Sequence, residues 1–259
     1  MDDTRKAAVA GTFYPDDDRE LADRVDRLVA CPQRRVAPKA LIAPHAGYVY
    51  SGITAGLAFS TLASHADSIR RVVLLGPAHR VHLRGLALPG ASAFNTPLGD
   101  VPVDSDAVRA LEKFPAISTS PVAHAQEHSL EVELPFLQRV LAQFSLVPLV
   151  VGDASAETVA EILDALWGGD ETLVIVSSDL SHYLPYDRAR QVDTATAQAI
   201  LQGMPLDSHQ ACGAQAINGF ELVARKRGLE AELLDLRSSG DTAGPRREVV
   251  GYGAFAFDS

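Results

Sequence analysis

Three histidines stand a few residues beyond short apolar runs, and that is where chemistry would begin. Residues 41–43 stop at Pro44, and His45 follows at once in a Gly- and Tyr-rich stretch. Residues 72–75 run into Gly76-Pro77-Ala78-His79-Arg80, and residues 173–176 into Ser177-Ser178-Asp179-Leu180-Ser181-His182. In open α/β sheets ligands bind outside the carboxyl ends of the strands, so the three loops are read as the wall of one site. Taken singly, His45 is either a metal ligand or a ring satisfied by backbone in a tight turn. A second strand-exit histidine, His79, strengthens the ligand reading. If the two strands are neighbours, their backbones lie about 5 Å apart, and both rings reach one ion at about 2.1 Å.

Three further groups have two readings each. Cys212 precedes Gly213 and a helix. A helix N-terminus lowers a thiol's pKa and favours the metal-binding thiolate, but a free cysteine is equally a small buried apolar residue. Asp179 and His182, three apart, suit general acid/base work near neutrality, with Asp179 orienting His182 or bonded to a metal-bound histidine; the same residues also suit a turn that caps the next helix. Glu127-His128 either caps a helix start, where the dipole favours an acid, or belongs to the site. His82 is read as solvent-facing, and His65 and His209 are given no role.

The elements that must position these groups follow from periodicity. Asp16 to Asp18 cap a first helix over residues 19–30, with Leu21, Val25, Leu28 and Val29 at helical spacing. Residues 39–43 and 71–75 are strands, with a helix over 52–63 capped by Ser51. Residues 84–89 and 100–103 are short strands around an irregular loop holding Phe94 to Pro97. Asp104 starts a helix. Leu130, Leu134, Leu137 and Val140 share a helix face, with Pro135 in a first turn. Residues 145–151 and 172–176 are strands either side of a helix capped by Ser155. Helices over 187–202 and 213–226 and strands over 231–236 and 249–257 complete the chain, with residues 240–245 read as a mobile loop and residues 8–15 packed across the sheet. Strands separated by helices predict one α/β domain spanning residues 1–259, its central sheet mainly parallel and covered by helices on both faces.

Composition narrows the class. The 259 residues are 47% hydrophobic and 22% charged, with a net charge of −10. An acidic chain lacks the basic footprint of nucleic-acid binding. No apolar run is long enough to span a membrane, and no secretory segment opens the chain; a cytoplasmic location is expected. Two cysteines, Cys31 and Cys212, make no disulfide framework. There is no G-x-S-x-G nucleophile elbow, no Walker A loop and no GxGxxG fingerprint.

Several stretches, in order, resemble the MEMO family, whose bacterial and archaeal members are also called AmmeMemoRadiSam system protein B: AGTFYP (10–15), APHAGYVYSG (43–52), LGPAHR (75–80), EHSLEVELPFLQ (127–138), SSDLSHY (177–183) and ACG (211–213). That family is similar in fold to the class III extradiol (LigB-like) dioxygenases. The resemblance implies a non-haem Fe(II) site, with copper or zinc as other occupants, ligated by His45, His79 and Cys212. It implies His182 as acid/base and His128 as a second active-site histidine, with Asp179 and Glu127 positioning a small-molecule substrate or O₂. Tyr48 and Arg80, next to the ligands, would contact an anionic or aromatic substrate. The dioxygenases complete their site with a carboxylate, whereas the third ligand here is a thiolate; the alternatives are therefore a zinc hydrolase using His182 as base, or a peptide-binding module that uses the old cleft. The system name also implies association with radical-SAM and AMMECR1-like proteins.

Overall fold

The computed structural model describes residues 4–30 and 38–258. In chain order the strands are β1 (Thr4–Arg5), β2 (Ala40–Ala43), β3 (Arg71–Pro77), β4 (Leu86–Leu88), β5 (Ala93–Thr96), β6 (Gly99–Pro102), β7 (Ile117–Thr119), β8 (Ser145–Val151), β9 (Thr172–Ser177), β10 (His182–Leu184), β11 (Glu230–Ser238) and β12 (Val249–Asp258). The helices are α1 (Asp18–Val29), α2 (Tyr48–Ser60), α3 (Ser105–Leu111), α4 (Pro121–Ala125), α5 (Leu134–Val140), α6 (Ala156–Leu166), α7 (Tyr186–Leu201) and α8 (Ala214–Lys226).

Among the described residues the main sheet has nine strands in the order β10-β12-β2-β9-β3-β8-β4-β7, with β11 also paired to β12. Its centre, β2-β9-β3-β8, is parallel. Antiparallel pairings flank it, β12 with β2 and β4 with β8, so the sheet is mixed around a parallel core. One expectation fails in an instructive way. β2 and β3 are not neighbours; each pairs with β9, which lies between them. The three strand exits are therefore adjacent, with the residues after β9 in the middle.

Side chains alternate to the two faces of the sheet, as strand geometry requires. Ile42, Val73, Leu75, Val147, Leu149, Val174 and Val176 pack with Val159, Ile162 and Leu163 of α6, Ile200 of α7 and Phe220 of α8. Leu41, Val72, Leu74, Leu146, Leu173 and Ile175 pack with Leu21 and Val25 of α1, Phe59 of α2 and Phe136 and Leu137 of α5. Each such buried side chain is worth about 1.5–3 kcal/mol of transfer free energy. α2 lies so close to α1 that a Cβ on Gly56 would sit 2.4 Å from the Leu28 carbonyl oxygen.

Local chemistry explains where boundaries differ from the sequence pattern. α2 begins four residues earlier than expected, at Tyr48 after Gly47, because Ser51 is no cap; its hydroxyl donates to the Ala46 carbonyl at 2.9 Å. Residues 93–96 are strand β5, not loop, paired with β6 and β1 in a small second sheet. The loop expected to be mobile over residues 240–245 begins inside a capped 3₁₀ turn, Ser239–Asp241, in which Asp241 accepts from the Ser238 N–H and hydroxyl. Among the described residues no helix is long and apolar enough to cross a membrane.

The amino-terminal segment is fixed by one buried ion pair. Arg5 meets Glu131, both almost wholly buried. Glu131 also accepts from the Ala8 N–H (2.8 Å), the Val9 N–H (3.0 Å) and the Tyr14 hydroxyl (2.5 Å). Arg5 donates in addition to the carbonyls of His124 and Glu127. Breaking a buried pair from one side leaves an uncompensated charge, at a cost of about 3–5 kcal/mol. Urea unfolding of Glu131→Ala at pH 7 is expected to show a loss of that size; a loss under about 1 kcal/mol, the range of a surface pair, would contradict the assignment.

Candidate functional site

The site is assembled at the carboxyl edge of β2, β9 and β3. Pro44 ends β2, and the His45 N–H donates to Asp179 Oδ1 at 2.8 Å. The His45 ring is buried, with Nδ1 2.8 Å from Ser177 Oγ at the end of β9. Beyond β3, the His79 N–H donates to Glu127 Oε2 at 2.6 Å, and its ring Nδ1 lies 2.9 Å from Glu127 Oε1. The same Oε1 accepts the N–H groups of His128 and Ser129 at 2.9 Å each. Burial alone would raise the Glu127 pKa; the donors from His79 and the backbone outweigh it and hold the carboxyl at about 2. An ionised carboxylate only accepts, so the proton between the two groups belongs to His79 Nδ1. Such a carboxylate–histidine pair is the arrangement that orients metal-binding imidazoles.

His45, His79 and His128 form a cluster whose ligand atoms all lie within 4.8 Å of one another. Ring centroids are 5.2 Å apart for His45 and His79, 5.4 Å for His45 and His128, and 4.8 Å for His79 and His128. Burial, then the neighbouring rings, pushes the His45 pKa well below its usual value. Burial likewise lowers His128 to about 4, against the attraction of Glu127. The rings of His45 and His128 are thus neutral near pH 7, the form that ligates metals. His128 Nδ1 is buried with no hydrogen-bond partner, 3.4 Å from Glu127 Oε1. Convergent imidazole nitrogens with an unpartnered one among them are a donor set that fits a transition-metal ion.

Cys212 joins the cluster through His45, with Sγ 3.5 Å from Nε2. It is not one of the three whose ligand atoms lie within 4.8 Å of one another. The Asp179 N–H points at the sulfur at 3.3 Å, and the Cys212 N–H donates to the Asp179 carbonyl. The expectation of a lowered thiol pKa is reversed. Burial, reinforced by the Asp179 carboxyl, pushes it up to about 12 and outweighs the helix start.

The remaining candidates fall into two groups. His182 is half-buried, its Nδ1–H donating to the Leu180 carbonyl at 2.8 Å. Burial lowers its pKa, with His79 adding to the effect. The next residue, Tyr183, is exposed and has φ of +58°, a conformation uncommon for a non-glycine residue and frequent at functional loops. Arg80 is exposed beside His79, close enough for its charge to lower the His128 pKa. Three other roles need correction. Tyr48 is buried and donates its hydroxyl to the Val132 carbonyl at 2.8 Å, so it offers nothing to a substrate. Glu127 has both oxygens occupied by His79 and backbone donors, so it holds His79 and does not face a substrate. Asp179 does not orient His182. It is buried and holds the His45 loop by its backbone, and burial raises its pKa to about 7.

Ser177 and Glu133 were missed by sequence reasoning. The Ser177 hydroxyl contacts His45, the Ser129 carbonyl and Glu133 Oε1. The available signals were a hydroxyl closing the apolar run Thr172–Ser177 and a carboxylate inside Leu130-Glu131-Val132-Glu133-Leu134.

A mixed α/β sheet bearing a histidine cluster at the carboxyl edge of its parallel core defines the class of protein. Comparison with known proteins makes it specific. The Memo-like protein family model matches residues 5–256. The chain is 36% identical to a MEMO1 family protein of Archaeoglobus fulgidus, covering 98% of this chain and 99% of that one. It is 34% identical to one of Aquifex aeolicus, covering 96% and 97%, and 32% identical to one of Nitrosopumilus maritimus, covering 98% and 99%. The chain belongs to the Memo-like family.

The lowered pKa of His128 has a consequence for stability. In the fold the ring stays neutral to about pH 4, whereas unfolded it takes up a proton near 6.5. Its contribution is therefore complete above pH 6.5 and is lost as pH falls from 6.5 toward 4. In metal-free protein, His128→Phe is expected to flatten the decline of unfolding free energy in that window by up to about 1.4 kcal/mol per pH unit, one proton's worth. An unchanged slope in urea titrations at pH 6.5, 5.5 and 4.5 would contradict this.

Proposed function

We propose that this Memo-like protein binds a transition-metal ion at the histidine cluster and uses it in oxygen-dependent oxidation of a small molecule. The observation that supports this is the convergence of His45, His79 and His128 within 4.8 Å, with the Cys212 sulfur 3.5 Å from His45 Nε2. In this reading His45 and His79 are ligands and Cys212 is the third donor, with His128 beside them. Two imidazoles and a thiolate accept iron, copper or zinc; the resemblance to the extradiol dioxygenases favours Fe(II). A bound iron would supply one-electron redox chemistry and an open position for a small molecule. Cys212 would give up its proton on binding, because a coordinating thiol is deprotonated outright.

The chain's own groups set the rest. His182 carries its proton on Nδ1, bonded to Leu180, so Nε2 is the atom that accepts a proton from a bound substrate and returns it. Its lowered pKa keeps that lone pair available near neutrality. Arg80 at the rim attracts an anionic group. Glu127 and Asp179 keep the two ligand histidines in register.

Anaerobic titration of the apoprotein with Fe(II) tests the reading. One equivalent is expected to bind the wild type, with His45→Ala losing it and Cys212→Ser weakening it. Equal stoichiometry and affinity in wild type and His45→Ala would remove the assignment.

A further inference from the structure

The contacts of one buried hydroxyl extend the account. Ser177 Oγ has three neighbours at hydrogen-bond distance: the Ser129 carbonyl oxygen at 2.6 Å, Glu133 Oε1 at 2.7 Å and His45 Nδ1 at 2.8 Å. A hydroxyl has one proton to give and two lone pairs to receive. The Ser129 carbonyl can only accept, so the Ser177 proton goes there. The other two neighbours must bring protons of their own. Any other arrangement leaves the carbonyl facing a lone pair at 2.6 Å.

We propose that Ser177 is a positioning residue: its hydroxyl, held between the Ser129 carbonyl and a neutral Glu133 carboxyl, keeps the proton of His45 on Nδ1 and leaves Nε2 bare toward Cys212. The usefulness of that bare nitrogen rests on the metal reading above; the tautomer does not.

The surroundings of Glu133 agree with its donor role. Its side chain is fully buried, it forms no ion pair among the described residues, and Oε2 has no hydrogen-bond partner. An ionised carboxylate there would be uncompensated, which proteins avoid by neutralising the group. Burial, with Asp179 nearby, pushes its pKa well above the usual value. A neutral Glu133 donates through Oε1 and occupies the second lone pair of Ser177, so the hydroxyl has no reason to turn away from Ser129. The result matches His79, whose proton Glu127 pins on Nδ1. Two unrelated devices, a charged carboxylate and a hydroxyl backed by a neutral acid, present the same nitrogen on both rings.

The test is two-bond ¹H–¹⁵N correlation on histidine-labelled, metal-free protein, with the His45 ring identified by its loss in His45→Gln. The wild type is expected to show a pyrrole-type Nδ1 and a pyridine-type Nε2. Glu133→Gln, whose amide N–H₂ replaces the carboxyl proton, is expected to show the same ring pattern. Ser177→Ala is expected to give averaged shifts from mixed tautomers and zinc binding weakened roughly 10- to 100-fold, the size of effect an outer partner of a metal ligand has. A pyridine-type Nδ1 in the wild type overturns the proposal, as does a Ser177→Ala ring indistinguishable from wild type or a Glu133→Gln ring unlike it. If Ser177→Ala fails to fold, the wild-type and Glu133→Gln spectra decide alone. A wild type with the Nδ1–H tautomer that takes up no zinc supports the positioning role and counts against the metal reading instead.

Discussion

Three carboxyl groups are buried within seven residues, at Glu127, Glu131 and Glu133, and the site depends on how each is accommodated. Burying an acid without partners is costly, and each position solves the problem differently. Glu127 stays ionised under N–H groups from His79, His128 and Ser129. Glu131 takes Arg5, two backbone N–H groups and the Tyr14 hydroxyl. Among the described residues the Glu133 carboxyl hydrogen-bonds to Ser177 alone, and it is pushed toward its neutral form. The first solution fixes His79, the second ties residues 5–14 to the segment that carries His128, and the third reaches His45 through Ser177. One short segment thus connects the amino terminus, β3 and β9 to the same point.

The sheet sets the spacing that this segment exploits. β9 separates β2 from β3, so Ser177 and Asp179 lie between the loops that carry His45 and His79 and touch the first of them directly. The polar groups between the histidines hold the cluster, with His45 buried and His79 exposed, and the flanking His182 is left half-exposed. Cys212 comes from the far end of the chain and is fastened by its N–H to the Asp179 carbonyl and by the Asp179 N–H to its sulfur.

Much of this was legible in local pattern. The continuous apolar runs of β3, β8 and β9 and the Ser155-capped helix α6, with Val159, Ile162, Leu163 and Leu166 buried, follow directly from periodicity. So did His45 and His79, because a histidine after an apolar run has a short list of uses. Strand order was not legible, since nothing local to residues 39–43 or 71–75 says that a strand a hundred residues later will come between them. The state of Cys212 was misread because dipole position is a local property and burial is not. Tyr48 was given a substrate role from adjacency, and Glu127 and Asp179 from the family resemblance; the structure spends their polar atoms on the backbone and on His79. Glu133 and Ser177 lie 44 residues apart, and only the packed structure shows that they answer one another.

The central claim is that separate stretches of chain converge to hold one ion. The most direct measurement is an anomalous difference map, at the iron edge, from crystals grown and loaded with Fe(II) without oxygen. The account predicts a single strong peak bonded to His45 Nε2 and His79 Nε2 at about 2.1 Å, with the Cys212 sulfur as a third contact near 2.3 Å. Iron found only at surface carboxylates, with the histidine cluster empty, would contradict it.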